Sequence, residues 1–335
     1  LKPACFYDLV IEIAIVRPGP IQGEMVHPYL RRREGLEPIT FPNEAIKNVL
    51  KRTLGVPIFQ EQVIRLAMVA AGFSGGEADQ LRRAITNWGK NSKLLTFEHK
   101  LIQGMLANGY DETFAKRLFD QIKGFGGYGF PESHSASFAL LAYASAWLKR
   151  HHPAAFYVGI LNSQPMGFYS PSQLIQDAAR HNIKIEPVDI NHSQWDHQLV
   201  AHDYREQPNT IRLGLRLVKG LTEHSAKRLV EERTLNGPYQ NMATLRKRAA
   251  LPKLDLENLA AADALHSISG DRHQSQWQVL SLPEYRPLLA SLDSEYQHQT
   301  ENTGIEAPSI AENVLADYST TGLTLREHPL SLLRK

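Results

Sequence analysis

Two neighbouring arginines could bind a ligand that carries phosphate. Arg82 and Arg83 lie near the end of a helix predicted to begin close to Gly76. Two guanidinium groups on adjacent helical faces can bind a triphosphate, because each presents several N–H donors in a planar fork. The alternative is that the pair only interacts favourably with the negative end of the helix dipole. Both arginines are therefore candidate nucleotide-binding residues.

A glycine-rich turn is a second candidate for phosphate binding. Gly126 and Gly127 lie in this turn, which leads into Ser133 and His134 at the start of another predicted helix. Glycine lets a ligand approach the backbone, and unpaired N–H groups at a helix N-terminus attract phosphate. A loop with a serine cap is the alternative. The glycine spacing also fits a dinucleotide fingerprint, but a helix is predicted where that fingerprint needs a strand.

A third segment, Leu217-Val-Lys-Gly-Leu-Thr-Glu-His-Ser-Ala226, resembles a helix-hairpin-helix motif. In that motif a glycine-containing hairpin presents backbone N–H groups to a DNA phosphate, a contact that does not read base sequence. A threonine stands where a second hairpin glycine is usual, so the match is partial. A degenerate copy at 256–265 has no hairpin glycine and is expected to pack against the first. The predicted DNA-binding residues are Lys219, Gly220, Thr222, Lys227 and Arg228.

No catalytic residue and no metal ligand are predicted. Two-metal nucleotidyl transfer needs carboxylates that converge on one point. The nearest pattern, Glu77-Ala-Asp79, lies on a predicted helix, where positions i and i+2 do not face each other. Capping explains Glu77 better, because Ser74 precedes it by three residues. His192 and His197 have no third ligand nearby and are expected at the surface.

The composition is typical of a globular protein, with 42% apolar and 21% charged residues. Lys and Arg number 37 and Asp and Glu 35, a formal net charge of +2, so nucleic-acid binding would depend on where charge is placed. The single cysteine, Cys5, excludes an internal disulfide and favours a reducing, cytoplasmic setting. Neither a signal peptide nor an apolar run long enough to span a bilayer is visible. Leu1 opens inside an apolar helical pattern, which suggests a fragment of a longer protein.

Helical periodicity dominates the sequence, and short strands are expected only in its second half. One predicted helix, Ala136–Lys149, is small or apolar nearly all round, which predicts burial in the interior. The stretch Ile185–Ile190 is predicted to be extended, and Ile211–Leu217 to be a strand. The other predicted helices are Ile58–Ala71, Glu77–Ile85, Phe114–Ile122, Thr222–Arg233 and Asp255–Ala262.

Five short motifs follow one another along the first half of the chain. They are Arg17-Pro-Gly-Pro20, Gly55-Val-Pro-Ile-Phe-Gln-Glu-Gln62, Ala78-Asp-Gln-Leu-Arg-Arg-Ala84, Phe125-Gly-Gly-Tyr-Gly-Phe-Pro-Glu-Ser-His-Ser135 and Trp147-Leu-Lys149. In their order and spacing these motifs are similar to the fingers domain of the bacterial DNA polymerase III alpha subunit family, and the resemblance covers most of residues 1–280. Two further segments resemble the error-prone branch of that family. They are Leu161-Asn-Ser-Gln-Pro-Met-Gly-Phe-Tyr169 and Asp317-Tyr-Ser-Thr-Thr-Gly-Leu-Thr-Leu-Arg-Glu-His-Pro329.

The resemblance implies that catalysis and ligand binding belong to different domains of the polymerase. The catalytic aspartates and two Mg²⁺ ions would belong to a palm domain that precedes Leu1, so this chain alone is expected to be inactive. Arg82 and Arg83 match positions near the triphosphate of the incoming nucleotide. His134 and its neighbouring serines match the segment that faces the sugar. The helix-hairpin-helix region would grip duplex DNA. Primer–template DNA and dNTP are the implied partners, with accessory translesion proteins and, indirectly, the sliding clamp.

The expected fold is mainly α. We predict a helical fingers domain at 1–184, a tandem helix-hairpin-helix domain with a few short strands at 185–282, and a linker with the start of another domain at 283–335. The predicted function is a part of an error-prone or translesion DNA polymerase. A segment of the replicative alpha subunit and a non-catalytic DNA-binding module remain as alternatives. A metal-dependent nuclease is disfavoured because the carboxylate cluster is missing.

Overall fold

A computed structural model of the chain describes residues 2–16, 26–86, 94–124, 131–201, 209–281 and 304–332. These residues form 16 α-helices and one three-stranded sheet, which confirms the predicted mainly α fold. The chain divides into two compact units after Ala146. None of the helices in the described ranges is long and apolar enough to cross a membrane.

The first unit is entirely helical within the described residues. Its apolar core includes the fully buried side chains of Ile11, Phe59, Leu66, Leu81 and Phe119. Full burial of one such side chain contributes roughly 1.5–3 kcal/mol. The helices are α1 (Phe6–Ile15), α2 (Val26–Arg33), α3 (Glu44–Leu50), α4 (Gln60–Ala71), α5 (Gly75–Thr86), α6 (Leu94–Ala107), α7 (Glu112–Gly124) and α8 (Glu132–His151), whose residues from Trp147 onward belong to the second unit.

The corner between α4 and α5 follows the sequence prediction closely. Gly72 ends α4 in the left-handed region with φ of 71°, which costs glycine no steric strain. Ser74 and Glu77 then form the predicted capping box. The Glu77 carboxylate accepts hydrogen bonds from the Ser74 N–H at 2.9 Å and from the Ser74 hydroxyl at 2.8 Å. The corner therefore fixes where α5 begins.

Helices α4 and α6 approach so closely that one position allows only glycine. A Cβ added to Gly104 of α6 would lie 2.3 Å from the carbonyl oxygen of Ala71. Backbone atoms cannot move away as a flexible side chain can, so this contact sets the separation of the two helices.

The prediction that the helix at 136–149 is buried is wrong. In α8, which begins at Glu132, only Ser135 and Ala139 are buried. Leu140 and Leu141 are 60% and 62% exposed. An apolar pattern on every face indicates that a helix suits an apolar environment, but it does not tell which faces have packing partners in the unit.

The second unit consists of a small sheet and helices packed around a second apolar core. The sheet order is β1-β3-β2, with β1 parallel and β2 antiparallel to β3. The elements are α9 (Pro153–Asn162), α10 (Pro171–Arg180), β1 (Lys184–Glu186), β2 (Gln198–Val200), β3 (Thr210–Arg212), α11 (Glu223–Asn236), α12 (Met242–Ala249), α13 (Lys253–Ala261), α14 (His266–Ser269), α15 (Arg272–Ser281) and α16 (Ile310–Thr320).

The predicted strand at 211–217 is shorter than expected. Strand β3 ends at Arg212, and a 3₁₀ turn covers Leu215–Leu217. Gly214 lies between them, and a Cβ there would come within 2.4 Å of the Trp195 carbonyl oxygen. This close crossing of backbone separates the strand from the turn. The predicted domain boundaries after 184 and 282 remain predictions, and much of the predicted linker lies outside the described residues.

We expect Gly104→Ala to destabilise the chain by about 1–3 kcal/mol, because the added methyl group forces α4 and α6 apart. Gly76→Ala is the matched control, since no atom lies within 4 Å of a Cβ at that position of α5. The control should leave stability unchanged or raise it by at most about 1 kcal/mol. Urea unfolding measures both, and equal effects of the two substitutions would contradict the close approach.

Candidate functional site

The predicted arginine pair lies on α5, and both members bind one carboxylate. Arg82 donates to Asp79 Oδ1 at 2.9 Å, and Arg83 forms an ion pair with Asp79 Oδ2 at 2.8 Å. Hydrogen bonding from Arg82, with Arg83 nearby, holds the pKa of Asp79 below its usual value. Arg83 is 70% exposed and Arg82 31%. One carboxylate thus neutralises part of a doubly positive and accessible site.

The sequence did not identify Asp79 as the partner of both arginines. The spacing could have identified it, because Asp79 precedes Arg82 by three residues and Arg83 by four. Side chains at these separations face each other on a helix. A triphosphate bound here would compete with this carboxylate for the guanidinium donors. Glu77, the other member of the rejected carboxylate pattern, binds Lys100 and Ser74, and these contacts lower its pKa to about 2.

Ser133 and His134 lie in the first turn of α8, and both are exposed. The His134 ring packs edge-on against Phe138 with 4.7 Å between ring centroids. Ser135 differs, because it is buried and its hydroxyl donates to the carbonyl of Val10. Gly126 and Gly127 lie outside the described residues. Two of the four predicted glycine-turn residues are therefore placed at an accessible helix start.

Carboxylates already occupy part of the α8 N-terminus. The Glu132 N–H donates to Glu61 Oε2 at 2.9 Å, and the Glu132 carboxylate accepts from the Tyr7 hydroxyl at 2.7 Å. Arg52 lies 3.4 Å from Glu132 and places its guanidinium 3.5 Å from the centre of the Tyr7 ring. Burial and the bond to Glu132 raise the pKa of Tyr7. Sequence reasoning missed this cluster, because its members are up to 125 residues apart.

The predicted hairpin in the second unit is a tight, exposed turn at Lys219 and Gly220. Gly220 has φ of +82°, a conformation that costs other residues roughly 1–2 kcal/mol. A Cβ at this position would also lie 2.6 Å from Asn258 Nδ2 on α13. Among the described residues, nothing accepts a hydrogen bond from the N–H of Gly220, Glu223 or His224. The hairpin and the start of α11 thus offer backbone donors to an anion.

Thr222 is the N-cap of α11, and its hydroxyl accepts the Ser225 N–H at 3.1 Å. This role explains why threonine stands where a second hairpin glycine is usual. Lys227 is exposed and forms an i,i+4 ion pair with Glu223 at 2.7 Å. Arg228 is also exposed and has no hydrogen-bond or ion-pair partner in the part of the chain that the structure describes.

Lys219 is bound by another helix. Its ammonium donates to the carbonyl oxygens of Tyr318 and Ser319 at 3.1 and 2.8 Å, and its N–H donates to that of Thr320 at 2.9 Å. These are the last carbonyls of α16, which lies about 100 residues along the chain, so no local pattern could predict the contact. Of the five predicted DNA-binding residues, Lys219 is the one bound to a helix distant in sequence, whereas Lys227 pairs with Glu223 and the Thr222 hydroxyl donates to Ser225 Oγ on the same helix.

The degenerate copy at 256–265 covers most of α13 and the turn that connects it to α14. Asp263 takes the left-handed conformation in this turn, with φ of +58°, and fills the place that a hairpin glycine would occupy. Helix α13 packs against the hairpin region through Asn258 of the copy, which faces Gly220, and through Asp255, which precedes the copy and accepts a buried hydrogen bond from Ser225.

The expectation that His197 is a surface residue is wrong, whereas His192 is exposed. His197 is 4% exposed, and its Nδ1 accepts the Gly214 N–H at 3.1 Å. Its backbone also exchanges two hydrogen bonds with the Asn162 side chain. Burial, with the positive charge of Arg216 as a smaller cause, lowers the pKa of His197 from 6.5 to about 4. The residues that enclose it are distant in sequence, so the pattern gave no signal.

Comparison with known proteins finds a match to a family model in each of the two units. Residues 1–109 match the family model of the bacterial DNA polymerase III alpha subunit finger domain, and residues 182–275 match a helix-hairpin-helix motif. The whole chain is 60% identical to an error-prone DNA polymerase of Saccharophagus degradans and covers 32% of that protein. The corresponding values are 59% and 32% for Teredinibacter turnerae and 54% and 33% for Methylococcus capsulatus. The chain spans about a third of the length of these curated relatives.

We expect the buried His197 to make the chain less stable in acid. Because the folded-state pKa lies below the unfolded value of 6.5, its contribution is complete above about pH 6.5 and is lost as the pH falls toward 4. The slope approaches about 1.4 kcal/mol per pH unit for one proton. His197→Gln should remove this component from the pH dependence of unfolding, and His192→Gln should not. Identical profiles for the two variants would contradict the buried neutral imidazole.

Proposed function

We propose that this chain, which belongs to the bacterial DNA polymerase III alpha-subunit family, forms the nucleotide-facing and DNA-gripping part of an error-prone, template-directed DNA polymerase. The similarity along the whole chain to proteins named error-prone DNA polymerase supports this proposal. The structural observation that supports the proposal is the hairpin at Gly220. This hairpin lies inside the matched helix-hairpin-helix region, and its backbone N–H donors have no acceptor among the described residues.

The second unit binds the DNA backbone in this proposal. Phosphate oxygens would accept from Gly220 N–H and the first N–H groups of α11, where the helix dipole favours negative charge. Arg228 and Lys227, on the first turns of α11, add positive charge beside the same donors. Such contacts position duplex DNA without reading its sequence, as a polymerase that copies any template requires.

The first unit binds the incoming dNTP in this proposal. Arg82 and Arg83 would exchange Asp79 for triphosphate oxygens, which accept more hydrogen bonds and carry more charge. Ser133 and His134 would face the sugar, with Gly126 and Gly127 allowing close backbone approach. Positioning and electrostatic stabilisation are the contributions of such a segment to phosphoryl transfer.

The residues that the structure describes do not form a metal site. Within those ranges, no group of three or more His, Cys, Asp or Glu converges as metal ligands would. We propose that the full-length enzyme holds Mg²⁺ through residues outside this chain. The cytoplasmic setting, a translesion role after DNA damage, accessory translesion proteins and an indirect link to the sliding clamp belong to the same proposal.

A non-catalytic DNA-binding module is the second candidate, because the hairpin alone would suffice for it. The two candidates differ in their response to nucleotide. A polymerase segment should bind a matched dNTP through the first unit, whereas a plain DNA-binding module should be indifferent to it. A segment of the replicative alpha subunit would share the same geometry, and the names of the relatives favour the error-prone branch.

We expect Arg82→Ala with Arg83→Ala to raise the KM for dNTP of the full-length polymerase about tenfold or more, because charge-assisted hydrogen bonds are worth about 1.5–3 kcal/mol each. Affinity for primer–template DNA should stay within about twofold, since the pair lies in the other unit from the hairpin. Lys116→Ala is the control, as it removes another exposed helical cation that pairs with a carboxylate. An unchanged KM in steady-state extension assays would rule out the arginine assignment.

We expect Gly220→Ala to weaken binding of duplex DNA to this chain at every salt concentration, because a Cβ at this position collides with Asn258 Nδ2 and displaces the N–H groups of the turn. Gly237→Ala is the matched control. Gly237 also has positive φ, at +77°, but a Cβ there meets no atom within 4 Å. Both variants should remain folded under the conditions of the titration, and only the first should change the fluorescence anisotropy titrations. Equal DNA binding by the two variants would contradict the hairpin assignment.

A further inference from the structure

The end of helix α16 contacts the hairpin, although this helix follows the matched helix-hairpin-helix region by more than 30 residues. We call the segment from Ser309 to Arg326 the C-terminal clasp. Its attachment to the hairpin is made by Lys219, which binds the last three carbonyls of α16 through its ammonium and its N–H. Three hydrogen bonds from one residue make this a specific attachment.

A buried arginine holds the clasp in place. Arg272 of α15 is 3% exposed and donates to the carbonyl and the side chain of Asn313 at 3.0 and 2.9 Å. It also forms an ion pair with Asp317. Because an unpaired buried charge is strongly unfavourable, Arg272 ties the position of α16 to the body of the unit.

The turn that follows α16 closes the same network. Asp317 accepts from the Thr324 hydroxyl at 2.8 Å and lies 3.4 Å from Arg326. Arg326 in turn pairs at 2.7 Å with Asp263, in the turn between α13 and α14. The clasp is therefore fastened to both α15 and the second hairpin copy, and α13 presents Asn258 to the other side of Gly220.

The Lys219 ammonium also neutralises the negative end of the α16 helix dipole beside the hairpin. The C-terminus of a helix carries roughly half a negative charge, and that of α16 lies against a hairpin whose N–H groups suit a phosphate. The Lys219 ammonium is bound to these carbonyls and offsets the negative end of the dipole. Without it, an approaching phosphate would meet a negative helix end beside its donors.

We propose that the C-terminal clasp is part of the DNA-binding unit and that Lys219 is a positioning residue. Lys219 fastens the hairpin to the clasp and neutralises the end of α16, whereas Gly220, the start of α11 and Arg228 bind the phosphates. The inference rests on the proposed DNA binding. It changes the role that the sequence predicted for Lys219 and gives a role to a segment that the sequence assigned to a following domain.

Salt dependence separates a positioning lysine from one that neutralises a phosphate. The slope of log K against log salt concentration changes by about 0.9 for each phosphate that the protein no longer neutralises. We would measure duplex-DNA binding to the whole chain across a salt series for Lys219→Met, Arg228→Met and Asp317→Asn. Lys219→Met should weaken binding about threefold to tenfold at every salt concentration, the range expected for removal of one net hydrogen bond, with an unchanged slope. Arg228→Met should lower the slope by about 0.9.

The clasp is tested by Asp317→Asn, which removes the charge that pairs with Arg272. This variant should weaken DNA binding as Lys219→Met does, and the double variant should be no weaker than either single one, because both act on one attachment. Lys219→Arg should restore affinity, since a guanidinium can bind the same carbonyls. Faster hydrogen exchange of the Lys219 amide in Asp317→Asn reports the loosened clasp directly.

Two results would overturn the inference, and a third would overturn the proposed function on which it rests. A slope lowered by about 0.9 in Lys219→Met would mean that Lys219 neutralises a phosphate itself. Tighter DNA binding by folded Asp317→Asn would mean that the clasp opposes DNA. If Asp317→Asn does not fold, the salt slope of Lys219→Met still decides whether Lys219 neutralises a phosphate, because this substitution lies at an exposed position. Binding by the unaltered chain that shows no salt dependence would instead remove the proposed function on which the inference depends.

Discussion

The left-handed turn at Gly220 is the constraint on which the second unit depends. Its φ of +82° needs glycine, and its Cα faces the Asn258 amide so closely that a methyl group would collide with it. The turn lets Val218 and Leu221 enter the core while the two residues between them stay exposed. One backbone conformation therefore joins the packing of the unit to the presentation of N–H groups at its surface.

The two candidate sites differ in how their donors are held. In the second unit the donors are backbone N–H groups, which a packed turn and a helix start fix in direction before any ligand arrives. In the first unit they are long arginine side chains that a carboxylate on the same helix holds. Under the proposed function, rigid donors would suit duplex DNA, whose backbone presents the same phosphate contact repeatedly. Exchangeable side-chain pairs would suit a nucleotide that binds and dissociates in each catalytic cycle.

How much the sequence could predict depends on how local each feature is. The Ser74–Glu77 capping box and the helices around it follow from residues a few positions apart, and both were predicted correctly. The hairpin glycine was identified because its motif is local as well. Burial of His197 and exposure of α8 were predicted wrongly, since both depend on which distant segments pack there. Lys219 and its partners on α16 are about 100 residues apart, and the sequence of neither segment indicates that they are in contact.

The central claim is that the hairpin at Gly220 and the start of α11 bind the DNA backbone. Hydrogen–deuterium exchange of this chain, with and without a primer–template duplex, tests it most directly. The account predicts slower exchange at the amides of Gly220, Glu223 and His224, which have no acceptor among the described residues. Protection confined to other segments, with these three amides unchanged in the complex, would contradict it.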